Sequence, residues 1–147
     1  MPRETPPGPP EDYALGEQVG HLLRRANQRH LALFQSIMGE DQPTAMQFAA
    51  LVTLWREGPL SQNLLGRQLA MDPATVKGVV ARLMARGMVT RQRDGADARL
   101  LLVALTPAAR AALPALVEKA RAVTAATLAP LSREEATRLV ALLRRLA

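Results

Sequence analysis

From Leu15 onward the apolar positions fall on a helical period. Leu15, Val19, Leu22, Ala26, His30, Leu33 and Ile37 recur at spacings of three and four, and Leu23, His30, Phe34 and Met38 form a second stripe beside them. The spacing predicts a helix from about Asp12 to Ile37, stopped by Gly39. Two adjacent stripes make an apolar face wider than one partner helix requires. A second helix is expected from Thr44, whose hydroxyl suits an N-cap, to the Gly58-Pro59 stop. A short third helix follows Ser61 and carries Leu64, Leu65 and Leu69. A fourth opens at Asp72-Pro73, a capping residue with proline at the first helical position, and runs to about Arg86 before Gly87.

There the period changes. Met88 to Arg91 and Leu100 to Leu105 favour strands, and RQRDGADAR between them holds the turn signal Asp94-Gly95. The result is a β-hairpin with a polar, basic tip. Thr106-Pro107 then caps a helix to about Ala129, striped by Leu113, Val117, Ala120, Val123 and Thr127, with a kink expected at Pro114. Ser132 to Glu135 reads as a capping box opening a last helix with Leu139, Val140, Leu143 and Leu146 on it. The fold class is therefore mainly α with a small β-hairpin wing. Short helix, tight turn, helix and hairpin in that order are the winged helix–turn–helix plan. The chain divides into a disordered tail over 1–11 and one domain over 12–147, with the DNA-binding lobe at 44–106 and dimerisation helices at 12–40 and 107–147.

Composition narrows the function. At 147 residues the chain suits one compact domain, and it has no cysteine for disulfides or thiolate metal sites. No apolar run reaches the roughly 18 residues of a membrane span, and MPRETPPGPPEDY lacks the apolar segment of a signal peptide, so a cytoplasmic location without membrane attachment is expected. The net charge is +6, but it is unevenly spread. Residues 1–20 are acidic, whereas Arg67 to Arg99 hold seven basic side chains against three acids. A locally basic block suits a polyanion, although an arginine-preferring chain with a solvated surface has the same signature.

The fourth helix supplies the decisive chemistry. Val76, Val80 and Leu83 form an inner stripe, leaving Ala74, Thr75, Lys77, Gly78, Ala81 and Arg82 on the opposite side. Small residues there permit close approach to a major groove, Thr75 and Lys77 lie where helix amides attract phosphate, and Arg82 can reach guanine or phosphate. Taken alone this is also an ordinary amphipathic helix with a solvated basic side. The hairpin tips the balance. Arg91, Arg93 and Arg99 lie on or beside its tip, an arginine there suits a narrow minor groove, and Asp97 can hold it in position. Double-stranded DNA is the partner this pattern calls for.

From these residues the chain resembles the MarR family of regulators. The resemblance spans Gln18 to Leu146 and is most specific in DPATVKGVVARLMARGMVTRQRDGADARLLLVALTPAAR: a valine-rich helix, Arg86-Gly87-Met88-Val89, the wing element Asp97-Ala98-Arg99, and Val103-Ala104-Leu105-Thr106. It departs from the family pattern at Ala109, which stands before Arg110 where glycine is frequent. The resemblance implies a homodimer joined through the first and the last two helices, with the fourth helix of each subunit in a major groove of a palindromic operator, and a ligand-responsive repressor. Helix one, EQVGHLLRRANQRH, is similar to a subgroup controlling the degradation of nicotinate-type and other aromatic acids. On that basis a small aromatic carboxylate effector is expected between helix one and the DNA-binding lobe. His21 and Arg25, one turn apart, would hold it, with Phe48 and Trp55 as aromatic lining; a partly exposed structural histidine is the plainer role for His21 and core packing for both aromatics, and His30 on the apolar stripe reads as a satisfied core or interface histidine.

Other classes fit less well. An enzyme needs a nucleophile with a base, a carboxylate pair or a metal set, and two histidines with scattered acids give no catalytic group and call for no cofactor. A metal sensor is disfavoured because His21 and His30 do not share a helical face. A helical adaptor without DNA binding would leave the Arg99 wing without a role.

Overall fold

The structure is a computed structural model describing residues 7–147. Of the tail expected over 1–11, residues 1–6 lie outside the described residues, and 7–10 are exposed without regular structure. Six helices and one hairpin follow among the described residues: α1 Val19–Met38, α2 Ala45–Glu57, α3 Gln62–Gln68, α4 Pro73–Ala85, β1 Val89–Arg93, β2 Leu101–Leu105, α5 Pro107–Leu128 and α6 Arg133–Leu146. None of the helices is long and apolar enough to cross a membrane.

The expected caps form. Thr44 and Gln47 make a reciprocal capping box at α2, as do Ser132 and Glu135 at α6. Ser61, Asp72 and Thr106 each accept a backbone N–H at the starts of α3, α4 and α5. One expectation needs correction. Helix one does not begin at Asp12: Leu15–Glu17 is a 3-10 turn, Gln18 is extended, and α1 starts at Val19. The turn closes on itself, with the Gln18 amide N–H donating to the Leu15 carbonyl and its side chain to that of Ala14. Gly16 and Gly20, both poor helix formers, flank the break. As expected, α5 runs past Pro114, a single helix of 22 residues from Pro107 to Leu128. The side chain is exposed, so the helical bond it forfeits lies on the solvent side.

Two apolar clusters divide the chain. The larger joins α2, α3, α4, the hairpin and the start of α5 through Leu51, Leu54, Leu65, Val80, Leu83 and Leu113. The smaller joins α1 to the rest of α5 through Phe34, Met38, Leu116 and Val123, and Met88 packs against both. The α1–α5 pair is also pinned by polar contacts. Thr127 Oγ1 donates to the Val123 carbonyl and so accepts from His30 Nδ1 at 2.9 Å. Arg29 donates to the Ala126 and Thr127 carbonyls at the end of α5, where helical donors run out. His30 is therefore a satisfied histidine of the α1–α5 contact. In the lobe, α3 and α4 meet closely at Gly66, where a Cβ would stand 3.1 Å from Val76 Cγ1. The turn between them places Ala70 at φ 52, in the left-handed region.

The hairpin is antiparallel, with Val89 opposite Leu105, Arg91 opposite Val103 and Arg93 opposite Leu101. A further bridge ties it to the body: the Leu60 N–H donates to the Val103 carbonyl at 3.1 Å and the Val103 N–H to the Leu60 carbonyl at 2.7 Å. The sequence carried no signal for this third short strand segment.

Candidate nucleic-acid interface

The α4 helix is anchored by Val76, Val79, Val80 and Leu83, all buried, so its opposite side faces outward by necessity of the 3.6-residue period. Ala74, Lys77, Ala81 and Arg82 are exposed there, and Thr75 and Gly78 half-buried. Positions 74, 77, 78, 81 and 82 share one face by their spacing of three and four. Next to Gly78 lies Arg82 Nη1, 3.5 Å from where a Cβ would stand, so the arginine stem folds back along the helix over the glycine.

At the start of α4 the Asp72 carboxylate accepts the Thr75 amide N–H at 2.7 Å and the Thr75 hydroxyl at 3.0 Å. The backbone bond first, and the hydroxyl bond second, hold its carboxyl below the usual carboxylate range. The first-turn amide thus already faces an anion of the chain's own. Lys77 and Arg82 have no hydrogen-bond or ion-pair partner among the described residues.

In the wing the three arginines differ. Arg91 Nη2 donates to Gln62 Oε1 on α3 at 3.1 Å, and Arg93 Nη1 donates to the Ala98 carbonyl across the tip at 2.7 Å. The Arg99 side chain has no partner among the described residues. Asp97 accepts the backbone N–H of Arg99 at 3.0 Å rather than its guanidinium, and Asp94 likewise accepts the Ala96 N–H at 3.1 Å. The one ion pair among the described residues, Arg121 with Glu118, lies far along α5.

Of the four residues expected to hold an effector, His21 and Phe48 lie well apart within one chain. His21 and Phe34 are thirteen positions apart on α1, about 20 Å along the axis, and Phe48 stacks at a tilt on Phe34 with centroids 6.0 Å apart. Phe48 belongs to the smaller core cluster, and Trp55, partly exposed, lies two turns further along α2. His21 accepts a hydrogen bond from Arg24 rather than Arg25, at 3.2 Å, and Arg25 is exposed without a partner among the described residues. A separate cleft of about 290 Å³ opens where α1 meets α2, between Leu31, Phe34, Met38 and Pro43 with Glu40 and Gln42 at its rim. Among the described residues no group of three His, Cys, Asp or Glu side chains comes together.

Several contacts escaped the sequence. Gln62 is an ordinary polar residue until its partner Arg91 is known. The Arg86 guanidinium donates to the Asp41 carbonyl, and Lys119 Nζ to the Met38 carbonyl at 3.1 Å, so α4 and α5 both hold the link between α1 and α2. These pairs are 45 and 81 positions apart, beyond the reach of any local pattern.

Comparison with known proteins agrees with this architecture. Residues 44–101, which span α2 to the return strand of the wing, match the MarR family model. The chain is 40% identical over 147 residues to the HTH-type transcriptional repressor NicR of Pseudomonas putida, covering 98% of this chain and 93% of that one. Among solved structures, a probable transcriptional regulator from Pseudomonas aeruginosa superposes with a TM-score of 0.86 at 49% identity, covering 91% of this chain and all of that one. Bordetella bronchiseptica BpsR, whose DNA binding is regulated by 6-hydroxynicotinic acid, superposes with a TM-score of 0.85 at 42% identity over 95% of this chain and 97% of its own. With that identity running nearly end to end and the family model seated on the helix–turn–helix and wing, the chain belongs to the MarR family.

Proposed function

We propose that this protein is a sequence-specific transcriptional repressor that binds a near-palindromic operator in the cytoplasm as a homodimer and releases it on binding a small aromatic carboxylate. The observation that carries the DNA-binding part is the outward face of α4, with Lys77 and Arg82 unpartnered among the described residues beside Ala74, Thr75, Gly78 and Ala81. In this reading α4 enters the major groove and Arg99 reaches the adjacent minor groove. Titrating the protein into labelled duplex from upstream of its own gene, followed by fluorescence anisotropy, tests it. Saturable binding that survives excess unrelated DNA is expected; equal affinity for any sequence would count against a specific regulator.

Dimerisation is supported by α6. No residue of α6 is buried, yet Leu139, Val140, Leu142, Leu143 and Leu146 stand on it, and Val19, Leu22 and Leu23 are likewise exposed on α1. A soluble chain rarely leaves so much apolar surface open unless a partner covers it. We assign α1, α5 and α6, within 12–40 and 107–147, to the interface, and 44–106 to the DNA-binding lobe. Two lobes related by a twofold axis then require half-sites about one helical turn apart.

The effector is proposed from chemistry and from similarity to BpsR and NicR. Arg25 can grip a carboxylate with two parallel charge-assisted bonds, and His21 lies one turn away. Phe48 then serves the core, and the aromatic ring would meet the partner subunit's surface rather than Phe48 or Trp55 of the same chain. Nicotinate, 6-hydroxynicotinate, salicylate and benzoate should be titrated against the protein–DNA complex. Release with a coupling of about 1–3 kcal/mol, roughly 5–150-fold in affinity, is expected, and Arg25→Ala should blunt it. An Arg25→Ala protein that responds like the parent would remove this site.

A further inference from the structure

We infer that the three wing arginines have separate duties: Arg99 alone reaches DNA, while Arg91 and Arg93 are positioning residues that fix the pitch and the closure of the wing. The inference rests on the DNA-binding reading above. It begins with strand parity. Successive side chains of a strand point to opposite faces, so Val89, Arg91 and Arg93 share one face of β1. Val89 is buried, and so are Leu105 and Val103, the residues opposite Val89 and Arg91. Arg91 therefore starts from the face of the hairpin turned toward the body, and its guanidinium ends on Gln62, the first residue of α3.

The placement is doubled by the backbone. Val103, opposite Arg91, exchanges two hydrogen bonds with Leu60, two positions before Gln62. One strand pair is thus fastened to the corner between α2 and α3 by main chain on β2 and by a side chain on β1. Two attachments at different points hold an angle where one would act as a pivot. Arg93 works at the other end. Its bond to the Ala98 carbonyl crosses a tip otherwise closed by the Asp94 N–H on the Leu100 carbonyl and the Leu100 N–H on the Asp97 carbonyl. Arg99 lies beyond the last paired residues, Arg93 and Leu101, with its amide fixed by Asp97 and its side chain free of partners among the described residues. It is the wing arginine that can meet a groove without first giving up a protein contact.

The test compares Arg91→Met, Arg93→Met, Gln62→Ala and Arg99→Ala in the full-length chain, on a duplex the parent protein binds, from 50 to 200 mM salt. Losing one neutral or singly charged hydrogen bond should weaken binding by roughly 3–10-fold for Arg91→Met and Gln62→Ala. Their salt slopes should match the parent, their thermal midpoints should fall by no more than the loss of one hydrogen bond, and the double variant should be no weaker than the weaker single. Arg93→Met should follow the same pattern. Arg99→Ala should flatten the salt slope by about 0.9 for each lost charge contact per subunit. Gln62 carries no charge, so its variant isolates the strut from any electrostatic loss. The inference is overturned by Arg91→Met or Arg93→Met flattening the slope as Arg99→Ala does. Parent-like affinity in Gln62→Ala, or a fall in thermal midpoint large enough to leave the variant partly unfolded at the binding temperature, would overturn it too. Failure of the parent to bind any duplex would instead overturn the DNA-binding reading, and this inference with it.

Discussion

Ala70 and Gly66 occupy each other's preferred places. Ala70 adopts φ 52, which an L side chain resists, while Gly66 lies in a helix interior where alanine is favoured. Both choices follow from the α3–α4 turn. The Met71 amide N–H donates to the Gly66 carbonyl at 2.9 Å, which turns the intervening backbone left-handed, and a Cβ at position 66 would press on buried Val76 at 3.1 Å, so Val76 would have to shift. Ala70→Gly should therefore stabilise the protein by roughly 0.5–1 kcal/mol, and Gly66→Ala destabilise it by about 1–3 kcal/mol, both read from denaturant midpoints. The reverse order would mean that the turn is not the one described. Asp72 gives a pH signature. Its carboxyl is held below the ordinary value of 3.8 by the Thr75 amide and hydroxyl, so its stabilisation is fully present above that value and is lost as pH falls through the lower, folded-state value. The stability gap between the parent and Asp72→Ala should stay constant from neutral pH down to about pH 5 and narrow below 3.8. A gap that already closes near pH 6 would assign the effect to another group.

At the scale of elements, what could be read from the sequence was whatever a local pattern encodes. Caps at Thr44, Ser61, Asp72, Thr106 and Ser132 and the stop at Gly87 are each set by residues within four positions and appear as expected; the hairpin forms too, but its tip is a longer loop whose turn falls at Asp97–Leu100 and not at Asp94-Gly95. The start of α1 was misplaced because a continuous apolar stripe outweighed Gly16 and Gly20, and period alone cannot register a one-residue break. The candidate site was legible to the same depth. Periodicity separated the outward residues of α4 from Val76, Val80 and Leu83, but it could not say which wing arginines were already engaged, because Gln62 and Leu60 come from another part of the chain. The α6 helix marks the limit in another way: its stripe was visible, and a single chain supplies nothing that buries it. Leu139→Glu with Leu143→Glu should then leave the lobe's thermal transition in place and shift the protein toward monomer in light scattering. Since both side chains are exposed in one chain, unfolding rather than dissociation would show that α6 packs within it.

For the whole molecule the charge distribution becomes a measurable quantity. Two copies, each offering Lys77, Arg82 and Arg99 together with backbone donors, would contact roughly 6–10 phosphates, and affinity should fall about 10³–10⁵-fold between 50 and 200 mM salt. A nearly flat response in equilibrium anisotropy would detach the basic block from the contact surface. The arrangement of cores bears on how release is reached. The two apolar clusters share Met88, α5 runs through both, and Arg86 and Lys119 hold carbonyls at the end of α1 and in the link after it.

Met88 has a kinetic consequence. An unbranched thioether with three rotatable bonds can follow two surfaces as they slide, where a β-branched side chain would hold one shape. Met88 can therefore keep contact with both clusters through a change of rotamer, while Leu113 on α5 and Phe48 on α2 carry the rest of the joint. An effector acting on such a joint has only to prefer one arrangement of the two clusters. Stiffening that joint with Met88→Ile would slow the response to effector while leaving the affinity of the resting protein for its operator close to unchanged.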